Sequence, residues 1–287
     1  MPTRSFQHEL VGVLGMPVAE NPTQAMMEAA FADLGLHWRY LNVEVKPHDL
    51  GDAVRGTRAM GWRGFNCTMP HKVAVIPFLD RLNPAATAIG AVNCVINHDG
   101  VLVGDNTDGK GFLESLSAVR PVVGIEVVIL GAGGAARAIA IELALAGARR
   151  VTLVNRSPRS AHELAYLIQS QTPAQVELVP WSSSITVPES TDVVVNATSI
   201  GLYPNHDQIP PIDLDSLKPR MVVCDVIPNP PRTPLIERAG QRGCAVLDGL
   251  GMLVNQGVIG LALWSGLSPR PQIMRQALED VFTHAPA

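Results

Sequence analysis

A lysine and an aspartate, each set in a short polar turn, are the residues of this chain best suited to moving a proton. The lysine ends Asn66-Cys67-Thr68-Met69-Pro70-His71-Lys72, which joins an expected strand to an expected helix. The aspartate lies in Gly104-Asp105-Asn106-Thr107-Asp108-Gly109, and Ala91-Val92-Asn93 brings a further amide to the edge of a hairpin. An ammonium group beside a carboxylate can exchange a proton with a substrate hydroxyl once it is partly desolvated. Open α/β sheets bind ligands at the carboxyl ends of their strands, where such turns lie. Each residue also has an ordinary structural reading. A lysine in the first turn of a helix is usually a solvated charge, an aspartate before a helical run caps it, and Thr68, Asn93 and Gln256 can satisfy neighbouring polar groups. Cys67 and Cys94 read as small buried hydrophobes rather than nucleophiles.

A second chemical signal is Gly131-Ala132-Gly133-Gly134-Ala135-Ala136, which follows an expected strand and opens an expected helix. Gly131 permits the tight turn, Gly133 lets main chain approach a pyrophosphate, and Ala136 allows close helix–strand packing. The helix N-terminus adds N–H groups and a positive dipole end. At the end of the next strand, where Asp or Glu would bind a ribose 2′-hydroxyl, the chain reads Asn155-Arg156-Ser157 and then Arg159. Guanidinium groups attract a 2′-phosphate, so NADP is expected, with NAD as the alternative if the arginines are solvated loop charges.

The elements that must position these turns alternate between strand and helix patterns, the sequence form of βαβ units and a mainly parallel sheet. Strands are expected at 9–15, 39–45, 64–69, 91–97 and 101–104, the last two flanking a His98-Asp99-Gly100 hairpin turn. Helices are expected at 23–34, 48–60, 72–82 and 109–119. After Pro121 a second series places strands at 126–130, 150–154, 176–179, 192–196, 221–225 and 245–247, with a helix at 135–146. Two closing helices, 252–264 and 270–282, have no strand to pair with and are expected to return to the first domain. The fold class is therefore α/β: an N-terminal α/β substrate domain, 1–108, completed by 250–287, and a doubly wound Rossmann domain, 109–249.

With 287 residues the chain has length for two cores. It is 47% hydrophobic and 17% charged, which excludes a disordered chain, and its 25 Gly and 23 Pro follow no fibrous period. A formal net charge of -4 without a basic stripe disfavours nucleic acid. The four cysteines form no C-x-x-C pair, so no metal site or disulfide framework is expected and a cytoplasmic location fits. The uncharged stretch after Asp248 contains Asn255, Gln256 and Pro269 and reads as a buried helix rather than a membrane span. The apolar run Leu10-Val11-Gly12-Val13-Leu14 reads as a first strand rather than a signal core.

Together these motifs resemble the shikimate/quinate dehydrogenase family over nearly the whole chain and in the family's order. The resemblance is carried by Gly15-Met16-Pro17-Val18, the stretch 66–72, Gly90-Ala91-Val92-Asn93, Asn106-Thr107-Asp108-Gly109, the glycine turn and Asn155-Arg156-Ser157. Asn196-Ala197-Thr198-Ser199-Ile200-Gly201 and Gly249-Leu250-Gly251-Met252-Leu253-Val254-Asn255-Gln256 complete it. It implies an active site in the cleft between a substrate domain and a Rossmann domain, with Lys72 as acid–base residue and Asp108 as its hydrogen-bonded partner. It implies further that Thr68, Asn93 and Gln256 hold ring hydroxyls, and that Thr198, Val226, Gly249 and Met252 join Gly131, Ala132, Gly133, Gly134, Ala135, Asn155, Arg156, Ser157 and Arg159 around the cofactor. The expected reaction is NADP-dependent interconversion of a ring secondary alcohol and its ketone. The expected substrate is shikimate, quinate or an amino analogue, and the expected state is a monomer or homodimer. Where the family usually has Ser-x-Ser-Pro to hold the substrate carboxylate, this chain has Asn21 and Thr23 after Glu20, and Pro228 replaces a tyrosine often found at that end. These two departures leave a neutral or amine-bearing substrate open. A nucleotide-binding sensor on the same fold is the non-enzymatic alternative.

Overall fold

Apolar runs bounded by turn residues become strands and the helical patterns between them become helices, giving two α/β units in the computed structural model, which describes residues 6–284. Among the described residues one unit comprises those up to Thr107 together with 257–284; the other is Asp108–Gln256.

The first unit contains β1 (Glu9–Gly15), α1 (Thr23–Asp33), β2 (Trp38–Glu44), α2 (Leu50–Ala59), β3 (Gly64–Cys67), α3 (His71–Ala74), β4 (Arg81–Leu82), α4 (Pro84–Ile89), β5 (Cys94–His98) and β6 (Val101–Asp105). Its sheet runs β2-β1-β3-β5-β6-β4. β1 is parallel to β2 and β3, whereas β3, β5 and β6 pair antiparallel. The hairpin turn is the expected one: Asp99 (φ 51) and Gly100 (φ 92) both take positive φ, so His98 pairs with Val101. Leu14, Val54, Phe65, Val75, Val92 and Leu102 belong to its core.

The helix expected over 72–82 is not formed. α3 stops at Ala74, a 3-10 turn spans Ile76–Phe78, and β4 pairs parallel with β6. Pro77 has no N–H to continue the helix, and the Asp80 carboxylate accepts the Leu102 N–H at 2.7 Å and binds Arg58 at 2.9 Å. α4 was not expected; Pro84 occupies its first turn and Gly90 ends it in the left-handed region. β3 ends at Cys67, short of 69; just past it the Thr68 N–H donates to the Leu14 carbonyl and the Met16 N–H to the Met69 carbonyl, so the two chain segments stay joined beyond the strand.

The second unit contains α5 (Asp108–Ser117), β7 (Glu126–Leu130), α6 (Gly134–Leu145), β8 (Arg150–Asn155), α7 (Pro158–Gln171), β9 (Gln175–Pro180), β10 (Val193–Asn196), β11 (Val222–Asp225), α8 (Pro234–Gln241), β12 (Ala245–Leu247) and the first part of α9 (Gly249–Ser265). All six strands are parallel in the order β9-β8-β7-β10-β11-β12, the doubly wound dinucleotide-binding topology, with its switch point between β7 and β10. β7, β10 and β11 are buried along their whole length, as strands covered by helices on both faces must be.

From Gly257, α9 belongs to the first unit, where Trp264 Nε1 donates to the Val95 carbonyl at 2.9 Å; α10 (Pro271–His284) packs along α1, with Arg270 paired to Asp33. The start of α9 packs instead on α5, where Asn255 Nδ2 donates to the Gly111 carbonyl at 3.2 Å and to Ser115 Oγ at 3.0 Å. Asp108 and Gln256, assigned to the substrate domain on sequence grounds, therefore group with the dinucleotide-type unit.

Candidate active site

In the first unit the expected residues gather where β1 and β3 end. The single turn of α3 presents Lys72, half-buried, and its carbonyl accepts the Val92 N–H at 2.7 Å, tying the lysine's backbone to the strand entering β5. The same unit contains a buried polar chain. Tyr40 donates its hydroxyl to Asn66 Oδ1 at 2.8 Å, Asn66 Nδ2 donates to the Asn93 carbonyl at 3.0 Å, and Asn93 Oδ1 accepts the Thr107 N–H at 2.7 Å while its Nδ2 donates to Thr107 Oγ1 at 3.0 Å. Asn93 thus holds the turn that leads to Asp108. Tyr40, Asn66 and Thr107 carried no role in the sequence reading, because their partners lie far away along the chain. Thr68 is half-buried one residue past β3.

The Asn21 turn is separately built. Asn21 Oδ1 accepts the Thr23 N–H at 3.0 Å, and the Asn21 carbonyl accepts Asn42 Nδ2 at 2.9 Å. Thr23 is buried at the start of α1, whereas Glu20 is exposed. Burial pushes the Cys67 thiol up to about 12 despite the nearby Lys72 ammonium, so Cys67 is a protonated packing group at neutral pH.

In the second unit, Asp108 is buried as the first residue of α5, and Gln256 is buried with its Nε2 donating to the Leu253 carbonyl at 2.9 Å. Around the carboxyl edge of the sheet stand the expected cofactor residues. Gly131 takes φ 105, a conformation closed to most side chains, and lies against Ala197 and Thr198. No side chain caps α6, and a Cβ on Gly133 would meet nothing within 4 Å, so main chain at this helix N-terminus is open to approach by a phosphate. This fits a dinucleotide.

The same edge is held by a buried network that sequence reading missed. Asp225 accepts from Asn196 Nδ2 at 3.1 and 3.2 Å, from Thr233 Oγ1 at 2.8 Å and from the Ile227 N–H at 3.2 Å. Asn196 Oδ1 in turn accepts from Thr198 Oγ1 at 2.7 Å, and the Val226 N–H donates to the Asn196 carbonyl at 3.1 Å. Asp225 thus anchors Asn196, whose side chain holds Thr198 and whose carbonyl holds Val226. Burial lifts Asp225 to about 6 even though three donors oppose the shift. Gly249 lies against the Ile227 carbonyl with no room for a side chain, Asp248 accepts the Leu250 N–H at 3.1 Å, and Met252 is buried on α9.

At the end of β8, Asn155 Nδ2 donates to the Ser157 carbonyl at 3.0 Å and Ser157 Oγ caps α7. Arg159 is bound to Glu163 at 3.0 Å, and Arg137 from α6 reaches the same carboxylate at 3.0 Å. The Arg159 bond holds the Glu163 carboxyl below its ordinary range. Arg156 instead stacks its guanidinium carbon 5.2 Å from the centre of the Trp181 ring. Among the described residues no group of three His, Cys, Asp or Glu could hold a metal, and no helix is long and apolar enough to cross a membrane.

Comparison with known proteins decides the family. A model described as "Shikimate dehydrogenase substrate binding domain" matches residues 13–95, "Shikimate / quinate 5-dehydrogenase" matches 116–209 and "Shikimate 5'-dehydrogenase C-terminal domain" matches 249–279. Shikimate dehydrogenase (NADP(+)) from Desulforamulus reducens is 42% identical over 94% of both chains. The chain belongs to the shikimate dehydrogenase family. Its members are oxidoreductases, and the fold of this chain is theirs. A shikimate dehydrogenase solved in complex with NADP+ superposes with a TM-score of 0.91 at 35% identity, covering 96% of both chains. The ligand-free 5-ketofructose reductase of Gluconobacter sp. strain CHM43 has a TM-score of 0.90 at 52% identity, covering 97% of this chain and all of that one.

Proposed function

We propose that this chain is an NADP-dependent oxidoreductase that interconverts a ring secondary alcohol and its ketone, acting on shikimate and 3-dehydroshikimate or on a related cyclic hydroxy acid such as quinate or aminoshikimate. The observation that carries the reading is the Val92 N–H bond to the Lys72 carbonyl, which sets a lysine at the carboxyl end of β3 within the shikimate dehydrogenase frame. NADP, when bound, takes up or supplies the hydride. Lys72 accepts the proton of the alcohol as its carbon is oxidised and returns it in the reducing direction. Asp108 orients Lys72, shares its charge and binds a neighbouring hydroxyl. Thr68, Asn93 and Gln256 hold ring hydroxyls, while Asn21 and Thr23 receive the far end of the substrate. Gly131, Ala132, Gly133, Gly134 and Ala135 cradle the pyrophosphate; Asn155, Arg156, Ser157 and Arg159 receive the adenosine end; Thr198, Val226, Gly249 and Met252 border the nicotinamide. The enzyme works in the cytoplasm as a monomer or homodimer.

A second substrate class is favoured by the amide-and-hydroxyl turn at Asn21 and Thr23 together with the 52% identity to 5-ketofructose reductase. 5-Ketofructose carries no carboxylate, and an uncharged Asn21 and Thr23 beside Glu20 suit a neutral polyhydroxylated ketone. Purified protein assayed with NADP and shikimate, quinate or aminoshikimate, and with NADPH and 5-ketofructose, separates the classes by kcat/KM. A higher value for a cyclic acid supports the first reading and a higher value for 5-ketofructose the second. NADP binding without turnover on any of them overturns both in favour of a sensor.

A further inference from the structure

We infer that Trp181 is a positioning residue for coenzyme selectivity: its indole ring holds the Arg156 guanidinium at the sheet edge where the 2′-phosphate of NADP is received. The inference rests on the NADP reading above. β8 and β9 are parallel neighbours with Asn155 opposite Pro180, so Arg156 and Trp181 are the first residues beyond two adjacent strand ends. They lie on the β7-β8-β9 side of the switch point, the half of a doubly wound sheet that takes the adenosine end of a dinucleotide.

The two residues differ in how they are held. Trp181 is half-buried and packed on the core cluster that contains Val128, Leu130, Val154 and Ile185. Arg156 is exposed, and its guanidinium lies over that ring at 5.2 Å. An exposed arginine samples many rotamers, and a fixed aromatic face removes that freedom while leaving the N–H edge of the fork available to a phosphate. Charge points the same way. Glu163 already engages Arg159 and Arg137, whereas no carboxylate among the described residues pairs with Arg156. Arg156 is thus the guanidinium at this edge with its charge uncommitted, and Trp181 is what aims it.

Calorimetric titration of the purified full chain with NADP and with NAD tests this without reliance on turnover. In Trp181→Ala the ratio of the two affinities should move toward NAD by roughly three- to fivefold, and Trp181→Phe should restore it to within about twofold of the parent. Arg156→Ala should shift it by at least about tenfold. An unchanged ratio in Trp181→Ala beside a large shift in Arg156→Ala overturns the role of Trp181 and leaves the NADP reading standing. An unchanged ratio in Arg156→Ala overturns the assignment of the 2′-phosphate to that residue, and the inference with it. If Trp181→Ala does not fold, indole emission decides. A change on adding NADP that is seen in the parent and lost in Trp181→Phe supports the role, and an identical change in both overturns it.

Discussion

The two units present their candidate ligand-binding residues by different means. In the dinucleotide-type unit the proposed contact surface is mostly main chain: a left-handed Gly131, an uncapped helix at Gly133 and strand ends from an all-parallel sheet. In the other unit the proposed surface is mostly side chain, and Tyr40, Asn66, Asn93 and Thr107 are linked there by buried hydrogen bonds. A main-chain site keeps its ligand class as side chains vary, whereas a side-chain site changes specificity with a few substitutions. Relatives at 35–52% identity that differ in named substrate yet superpose at TM-scores of about 0.9 are what this division produces.

The sharpest test of that contrast is Lys72→Ala, expected to lower kcat by about a thousandfold while NADP affinity, measured by titration, stays near the parent value. Full turnover in this variant would remove the chemical role from the side-chain unit. Next in size is Asp225, the exception in the main-chain unit. Its carboxyl is raised from 3.8 to about 6, so the native state keeps this proton to higher pH than the unfolded chain does. The stability it contributes is complete below about pH 4 and is lost as pH rises through 6. In urea unfolding, the parent should therefore lose about 3 kcal/mol relative to Asp225→Asn between pH 4 and 7; a constant difference would mean that the buried network does not strain the charge. Smaller again is Asn93→Ala, which strands the buried Thr107 N–H and should cost about 2 kcal/mol by the same measurement. The smallest effect belongs to Cys67: with a thiol at about 12, native protein at pH 8 should resist iodoacetamide there, as mass spectrometry of peptides would register.

Much of this was readable before any coordinates. β1, β7 and β12 occupy their expected spans because local apolar runs meet clear stops, and the Asp99-Gly100 hairpin and Gly131 turn follow from residues that tolerate positive φ. What escaped reading depends on partners distant along the chain. The run after Lys72 looks helical until Pro77 and the pairing of β4 with β6 are weighed together. Asp225 meets an asparagine 29 residues away, and Trp181 meets Arg156 only once β8 and β9 are in register. Tyr40 carried no role there because its hydroxyl partner, Asn66, is 26 residues distant.

The bond between Val92 and the backbone of Lys72 has an evolutionary corollary. An amine whose address is written in peptide atoms survives the replacement of nearly every neighbouring side chain, since no single codon change can erase a carbonyl. Descendants of such a scaffold can explore new metabolites by editing the surrounding walls while the backbone that carries this lysine stays where it was.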